Sequence, residues 1–424
     1  MAKQALRVFF SEPTRVIPVI SLMLVIQSYR PEVYMRPVPY ISLLLLLLSG
    51  CGYSGFYYQA VVGQARLVFS QQTVGDTDLK NAPQLAIRFA AVEQILDFAE
   101  YRLHLSSGKR YKKYVEVEGD FVLWNVVAAG EFSTEPEQWC FPIAGCVSYK
   151  GYFARQNAVK FSGQIQGKGL DVHVAGVAAY STLGWFNDPL LSSYLFWPVP
   201  SLAGLLFHEL AHSQLYVAGD SSFNEAFASF VEQEGVRQYM QKLANADQQQ
   251  AWNVRKMQRS QFNDYLLNWK NELDLLYVQP ISEPVKRLLK QQLVSEIESC
   301  YQRNKDLLGS GVFDGYFSTP LNNARIASLA AYNTQIGAFE TLFKHSSSWP
   351  EFYVLAQRLA DLPQKQRANR MSALLGQALG KVVVTNAGDG QHTKKIQCNT
   401  LSYHSFDGEF PGTKDNGVGT GGNR

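Results

Sequence analysis

The sequence predicts an α+β fold in which a β-rich part is followed by a mostly helical half. Apolar residues recur at helical spacing over residues 79–105. Valines, aromatic residues and interspersed glycines then dominate residues 111–187, as they do in strands. From residue 201 to about residue 379 the helical spacing returns. Helices and strands that are segregated along a chain in this way are typical of α+β proteins.

Each predicted element has its own local pattern. The spacing in 79–105 predicts one or two amphipathic helices. Alternation of apolar and polar residues in Tyr114–Val127 and in Leu170–Tyr180 predicts strands. Long stretches with helical periodicity, Pro284–Asn304 and Asn322–Phe343, predict helices in the second half.

These patterns divide the chain into four parts. Residues 1–50 form a leader region, and residues 51–200 contain the N-terminal helix and the β-rich part. Residues 201–407 form the mostly helical part, and residues 408–424 are a flexible tail rich in glycine and polar residues.

Composition and charge exclude two classes of protein. Of the 424 residues, 46% are hydrophobic and 18% are charged, as in a globular protein. Five of the 39 basic and two of the 36 acidic residues precede residue 52, so the remainder carries 34 of each. A nucleic-acid-binding protein would carry a basic surplus in its folded part. Because no apolar run reaches the roughly 18 residues of a membrane-spanning helix, a polytopic membrane protein is excluded as well.

The N-terminal region has the pattern of an export signal. A leucine-rich run, Ile41–Leu48, follows Met35-Arg36 and precedes Ser49-Gly50-Cys51. The segment resembles the lipobox of bacterial lipoprotein leaders, which implies cleavage before Cys51 and a lipid on that cysteine. Because 34 residues precede Met35, the chain starts at Met35 or has an unusually long leader. The residue after Cys51 is Gly52 rather than aspartate, which implies the periplasmic side of the outer membrane. The alternative is an ordinary buried cysteine.

Four further cysteines follow Cys51. An exported protein enters an oxidising compartment, where an even number of cysteines favours disulfides. Cys140 and Cys146 could close a tight loop, and we expect a disulfide between them, with two free thiols as the alternative. Whether Cys300 and Cys398 form a pair is left open.

His208 and His212 lie four residues apart in an apolar segment that is predicted to be helical. At this spacing both side chains project from one face, close enough to bind a single metal ion. Glu209 lies about 100° further round the helix, where its carboxylate can reach a water held by that metal. This set of donors favours zinc. The alternative is a core helix with two incidental histidines.

A catalytic zinc site needs a third protein ligand, and Glu225 is the candidate. The turn at Gly219–Ser222 allows a second, antiparallel helix that starts near Phe223 and returns Glu225 toward the histidines. The alternative is a capping box, in which Glu225 would bond the amide of Ser222. Glu232 lies on the same helix face, where it either orients a ligand histidine or is a solvated charge.

The succession of H-E-x-x-H and N-E-x-x-A resembles the gluzincin metallopeptidases, in which the second glutamate is the third zinc ligand. Only 12 residues separate His212 from Glu225, a shorter gap than in the well-known aminopeptidase branch. Over residues 51–345 the chain resembles a bacterial family of zinc aminopeptidase lipoproteins. Besides the lipobox and the zinc motifs, the matching segments are Trp139–Gly151, Tyr180–Pro189 and Asn322-Asn323-Ala324.

The resemblance implies further site residues. The strand Asp171–Tyr180 would pair with substrate backbone beside the metal, and Gly176 would permit a close approach. The alternative is an internal strand without substrate contact. Tyr332 is the first candidate for the donor to the developing oxyanion, and Tyr180 is the second. The Gly-x-Met-Glu-Asn motif that holds the substrate amine in gluzincin aminopeptidases is absent, and Asp188 is the candidate for that role.

The expected function is that of a zinc-dependent metallopeptidase, an aminopeptidase by resemblance, that is lipid-anchored in the bacterial envelope and acts on peptides or proteins. His208, His212 and Glu225 would hold Zn²⁺, and Glu209 would carry the proton from water to the leaving amine. A zinc endopeptidase is the alternative within the enzyme class. The alternative outside it is a non-catalytic envelope lipoprotein with a structural zinc site, although such sites usually have four protein ligands. The sequence leaves the oligomeric state open.

Overall fold

The computed structural model describes most of the chain from Ser54 to Thr385, together with Cys398. The described residues are 54–74, 82–141, 145–179, 187–243, 245–333, 335–385 and 398. Cys51 and Tyr180 lie outside them, as do the leader region and the tail. Tyr332 belongs to a described helix, but its side chain lies outside the description.

Helices make up most of the described chain. They are α1 (Ser54–Phe69), α2 (Pro83–Arg102), α3 (Arg155–Gln166), α4 (Ser192–Leu195), α5 (Val199–Gln214), α6 (Ser221–Leu243), α7 (Ala246–Tyr277), α8 (Glu283–Arg303), α9 (Asn323–Asn333), α10 (Ile336–Lys344), α11 (Trp349–Ala360) and α12 (Gln364–Thr385). The predicted α+β class with a helical C-terminal half is confirmed. No helix in the described segments is both long enough and apolar enough to cross a membrane.

The strands are short and lie in the first half of the chain. They are β1 (Gln72–Thr73), β2 (Lys113–Val115), β3 (Leu123–Ala129), β4 (Trp139–Phe141), β5 (Gly145–Val147), β6 (Lys150–Tyr152), β7 (Asp171–Val177) and β8 (Leu190–Leu191). β3 is the centre of an antiparallel sheet with the order β6–β3–β7. A second sheet has the order β1–β2–β8, and β4 and β5 form a separate hairpin.

The β-rich region contains a helix that the sequence patterns do not predict. α3 interrupts the stretch 111–187 between β6 and β7. Its buried residues Ala158 and Ile165 pack in one apolar cluster with Val126 of β3 and Val172 of β7. The sequence patterns do not predict α3, because glycines and valines dominate the surrounding sequence. They do not predict α1 either. The predicted strand Tyr114–Val127 is not one strand. It contains the end of β2 and the start of β3, with residues 116–122 between them.

Two main hydrophobic clusters support these elements. The larger one combines Ile95 of α2 and Leu191 of β8 with Phe207 of α5, Val231 of α6 and Phe352 of α11. It therefore draws residues from both sides of position 200. The second cluster lies mainly between α7 and α8, where buried side chains such as Leu273, Leu293 and Ile297 meet.

Candidate metal centre

α5 is the helix that carries both histidines. It begins after Pro198, whose carbonyl oxygen accepts a hydrogen bond from the Leu202 amide. Pro200 suits its first turn, because proline has no N–H group and the N–H groups of a first turn have no partner within the helix. Its apolar side chains, such as Leu206 and Phe207, are fully buried in the larger cluster. Burial of these apolar residues fixes the rotation of the helix and turns His208 and His212 toward α6.

A tight turn reverses the chain between α5 and α6. Asn224 is 2% exposed, and its side chain donates to the carbonyl oxygen of Val217 and accepts from its amide, both at 2.8 Å. Asp220 accepts from the amide of Phe223 at the start of α6. The two helices consequently pack antiparallel, as the sequence predicts. Because Asp220 caps the helix, the capping box proposed for Ser222 and Glu225 is wrong: α6 already includes Ser222.

Three polar side chains converge between the two helices. His208 Nε2 lies 3.2 Å from His212 Nε2 and 3.3 Å from Glu225 Oε2. His212 Nε2 lies 3.8 Å from Glu225 Oε1. One ligand atom from each of the three residues lies within 4.8 Å of the other two, and no other such group of His, Cys, Asp and Glu occurs in the described chain. These are the three residues that the sequence predicts as metal ligands.

Glu232 contacts the other nitrogen of one of these histidines. Its Oε2 lies 3.2 Å from His208 Nδ1, two helical turns along α6 from Glu225. A carboxylate at this position accepts the Nδ1 proton and leaves Nε2 free to act as a ligand. Glu232 therefore contacts one of the two histidines, the contact that an orienting role requires.

The electrostatics of the group favour a positive charge at its centre. Burial acts to lower the pKa of His208, but the hydrogen-bonded carboxylates of Glu225 and Glu232 outweigh it and raise that pKa well above its ordinary value. Burial and the neighbouring His208 lower the pKa of His212 to about 4. Burial acts to raise the pKa of Glu225, yet its hydrogen bond with His208 and the charges of both histidines lower it. The two carboxylates thus favour a positive charge on the side of His208 that faces them.

Glu209 is half-buried, and its charge acts on two tyrosines that sequence reasoning missed. Burial raises the pKa of Tyr111 and of Tyr194, and in each case the charges of Glu209 and Asp188 add to this effect. Tyr111 has a left-handed φ of 61°, unusual for a bulky residue, and its amide donates to the carbonyl oxygen of Asp188. No local motif singles out either tyrosine, because only the fold brings them to Glu209.

The structure locates most of the other predicted site residues. Asp188 is 4% exposed. Within the described chain β7 pairs on one side only, with β3, and is an edge strand. At Gly176, however, the space that a side chain would take is occupied by the ring of Phe121, 2.5 Å from a Cβ built there. The close contact at Gly176 is therefore with Phe121 of the same chain.

The side chains of the predicted oxyanion donors lie outside the described residues. Tyr332 lies near the end of α9, which packs against α6 and against β3 and β7, but its side chain is outside the described residues. Tyr180 and Cys51, the predicted lipidation site, also lie outside them.

Both cysteine pairs are joined. The disulfide expected between Cys140 and Cys146 connects β4 and β5, whose register pairs these two residues. A second disulfide, which the sequence leaves open, joins Cys300 at the end of α8 to Cys398. Cys300 is fully buried in the cluster between α7 and α8, and Cys398 packs against the same cluster.

Two histidines and a glutamate on two antiparallel helices face a common point. This arrangement is that of a protein able to bind a metal ion. The family comparison makes the assignment more specific. The chain belongs to the family described as "Putative aminopeptidase", whose model matches residues 55–371. This membership indicates a peptidase. No curated protein and no solved structure matches the chain significantly.

Proposed function

We propose that the protein is a zinc-dependent metallopeptidase that acts as an aminopeptidase. The observation that carries the proposal is the convergence of His208, His212 and Glu225 on one point between α5 and α6, with Glu209 next to His208. Membership of the aminopeptidase family supports the reaction class. The three ligands fit the usual protein share of a catalytic zinc site, which leaves one position for water or substrate.

The donor atoms suit a divalent cation. His212 is neutral because its pKa is lowered, and its Nδ1 is buried without a hydrogen-bond partner among the described residues. Its Nε2 is thus the nitrogen that faces His208 and Glu225. A divalent cation would replace the proton of His208 as the positive charge between the carboxylates. Bound zinc would supply Lewis acidity, which polarises a peptide carbonyl and lowers the pKa of water.

The chain's own residues then have distinct tasks. Glu232 holds the Nδ1 proton of His208 and fixes the orientation of that ring. Glu209 accepts the proton of the attacking water and delivers it to the amine that leaves. The charge of Glu209 contributes to the raised pKa values of the buried residues Tyr111 and Tyr194.

Two features bear on how a substrate would bind. β7 offers an edge to which an extended peptide could add as a further strand. The last residue of β7, Val177, packs against the cluster that also contains α5 and α6. We propose this edge for the substrate backbone, and Tyr332 or Tyr180 as the hydroxyl that stabilises the oxyanion.

We also propose that a lipid on Cys51 anchors the protein in the outer membrane of a bacterial envelope. α1 begins at Ser54, only three residues after that cysteine. Fatty-acid labelling of the full chain in a Gram-negative host tests the proposal. Label in the wild type that is lost in Cys51→Ala is expected, whereas an unlabelled wild type would contradict it.

The reaction is tested with the full chain, purified in detergent, and one pool of peptides of which half are N-acetylated. Mass spectrometry of the products should show stepwise loss of N-terminal residues from the free peptides alone. A strong chelator should abolish this loss, and added Zn²⁺ should restore it. Internal cuts in both halves of the pool would show an endopeptidase, and no metal-dependent cleavage would leave a structural zinc site as the better account.

A further inference from the structure

The turn between α5 and α6 sets the position of Glu225 relative to the histidines. It spans residues 215–220, and two contacts secure one side of it. Asn224 is bonded to both backbone groups of Val217. Arg367 of α12, 5% exposed, donates to the carboxylate of Asp220 at 2.8 Å. A shift of this turn would therefore move the start of α6, which carries Glu225 in its second turn.

The hairpin of β4 and β5, closed by the disulfide between Cys140 and Cys146, lies against this turn. A Cβ atom built on Gly145 would lie 2.5 Å from the backbone nitrogen of Gly219 and 3.0 Å from its Cα. Gly219 in turn faces the amide nitrogen of Cys146, which lies 3.9 Å from a Cβ built on Gly219. The two backbones meet without room for a side chain on Gly145, so any larger residue at position 145 has to push the hairpin and the turn apart.

Both glycines also have left-handed backbone conformations. Their φ angles are +74° for Gly145 and +81° for Gly219, a region that residues with a side chain adopt only at an energetic cost. The disulfide joins Cys146, the next residue after Gly145, to the opposite strand at Cys140. It thereby restricts how far Gly145 can move away from the turn.

We propose that this disulfide hairpin is a positioning element of the metal centre. Through the contact of Gly145 with Gly219 it holds the turn that places Glu225 opposite His208 and His212. The hairpin acts through the turn and touches neither metal nor substrate in this role. The inference rests on the proposed metal site, and it assigns to that site a dependence on a segment more than 60 residues upstream.

The test compares Gly145→Ala with Gly119→Ala in the full chain. Gly119 has a similar φ of +82°, but no atom lies within 4 Å of a Cβ built there. Both variants therefore acquire similar backbone strain, and only one disturbs the turn. Co²⁺ serves as the probe, because its visible absorption reports the ligand geometry while titration gives the affinity. Thermal unfolding of each metal-free protein is measured alongside.

We expect Gly145→Ala to bind Co²⁺ roughly 10- to 100-fold more weakly, the range found when an outer contact of a metal site is lost. Its absorption spectrum should change, whereas Gly119→Ala should match the wild type. Equal affinity and an equal spectrum in Gly145→Ala, even with a lower melting temperature, would overturn the positioning role.

A second variant decides the matter if Gly145→Ala does not fold. Replacing both Cys140 and Cys146 by serine opens the hairpin without a steric clash and should also weaken Co²⁺ binding. Unchanged binding in this double variant would overturn the proposal. Failure of the wild type itself to bind Co²⁺ would instead contradict the proposed metal site, and the positioning role with it.

Discussion

The helix pair α5–α6 and the helix pair α7–α8 are held in place by different kinds of contact. In α5–α6 the proposed metal ligands and the turn that aligns them lie within residues 208–225. The pair α7–α8 is instead fastened to the sheet by polar contacts between distant residues. Lys290 of α8 donates to Asp171 of β7 at 2.7 Å, and Arg287 bonds Glu131. The proposed ligands thus lie in one short stretch of sequence, although the distant residues Arg367 and Gly145 also contact its turn. The position of α7–α8 depends on long-range polar partners.

If this comparison holds, a change in α5–α6 should affect metal binding and a change in α7–α8 should affect stability alone. The largest effect is expected for Glu225→Gln, which replaces an anionic ligand by a neutral one. The loss of several kcal/mol of transition-state stabilisation corresponds to about a 10³-fold fall in kcat/KM. Peptidase assays and metal analysis measure both quantities. Wild-type activity with a full complement of metal would contradict the assignment of Glu225.

Asn224→Ala tests whether the turn itself matters. The variant leaves the amide and the carbonyl of Val217 without their side-chain partner, and a buried polar group left unpaired costs about 1–3 kcal/mol. We expect a destabilisation of about 2–4 kcal/mol in denaturant unfolding and weaker metal binding. A loss of stability with unchanged metal affinity would show that the turn does not control Glu225.

Lys290→Met probes the other helix pair. The ammonium group contacts the carboxylate of Asp171 and the carbonyl oxygen of Glu131, and its side chain is 12% exposed. Its loss should lower the free energy of unfolding by about 2 kcal/mol and leave the metal affinity unchanged. The matched control is Lys344→Met, because Lys344 pairs with Glu340 at the surface and should change stability by less than about 0.5 kcal/mol. A fall in metal affinity in Lys290→Met would show that α7–α8 affects the metal site as well as stability.

The smallest expected effect is the pH dependence of stability that His173 in the sheet contributes. Burial, with a contribution from the charge of Arg325, lowers the pKa of His173 in β7 to about 4, whereas the unfolded chain retains a pKa of about 6.5. The unfolded state therefore binds more protons between these values, and stability present above pH 6.5 is lost as the pH falls toward 4. Relative to pH 7, His173 should cost about 1–2 kcal/mol of stability at pH 5.

Urea unfolding of the wild type and of His173→Gln at both pH values measures this contribution. The variant should lose less stability than the wild type between pH 7 and pH 5. An identical pH dependence in the two proteins would show that His173 does not report on the burial of the sheet.

The sequence predicts the α5–α6 site better than it predicts contacts between distant segments of the chain. The two histidines, Glu209 and Glu225 lie on two helices at regular spacing, so local periodicity is enough to predict that they meet. Tyr111 was not predicted to lie beside Glu209, because nearly 100 residues separate the two. The same reason applies to the contact of Gly145 with Gly219 and to Arg367, whose partners lie in distant segments. α3 was missed because its helical periodicity is short and is flanked by strand-like sequence.

We propose that Glu209 moves a proton at the metal centre, and the variant Glu209→Gln tests this role. Glu209→Gln retains the shape of the side chain but cannot accept a proton, and Glu209 is not among the three proposed ligands. The zinc content and the cleavage of the mixed peptide pool are measured together for wild type and variant. Full zinc content with activity reduced by about 10²-fold or more is the expected result. A zinc-loaded variant that cleaves peptides at the wild-type rate would contradict the account.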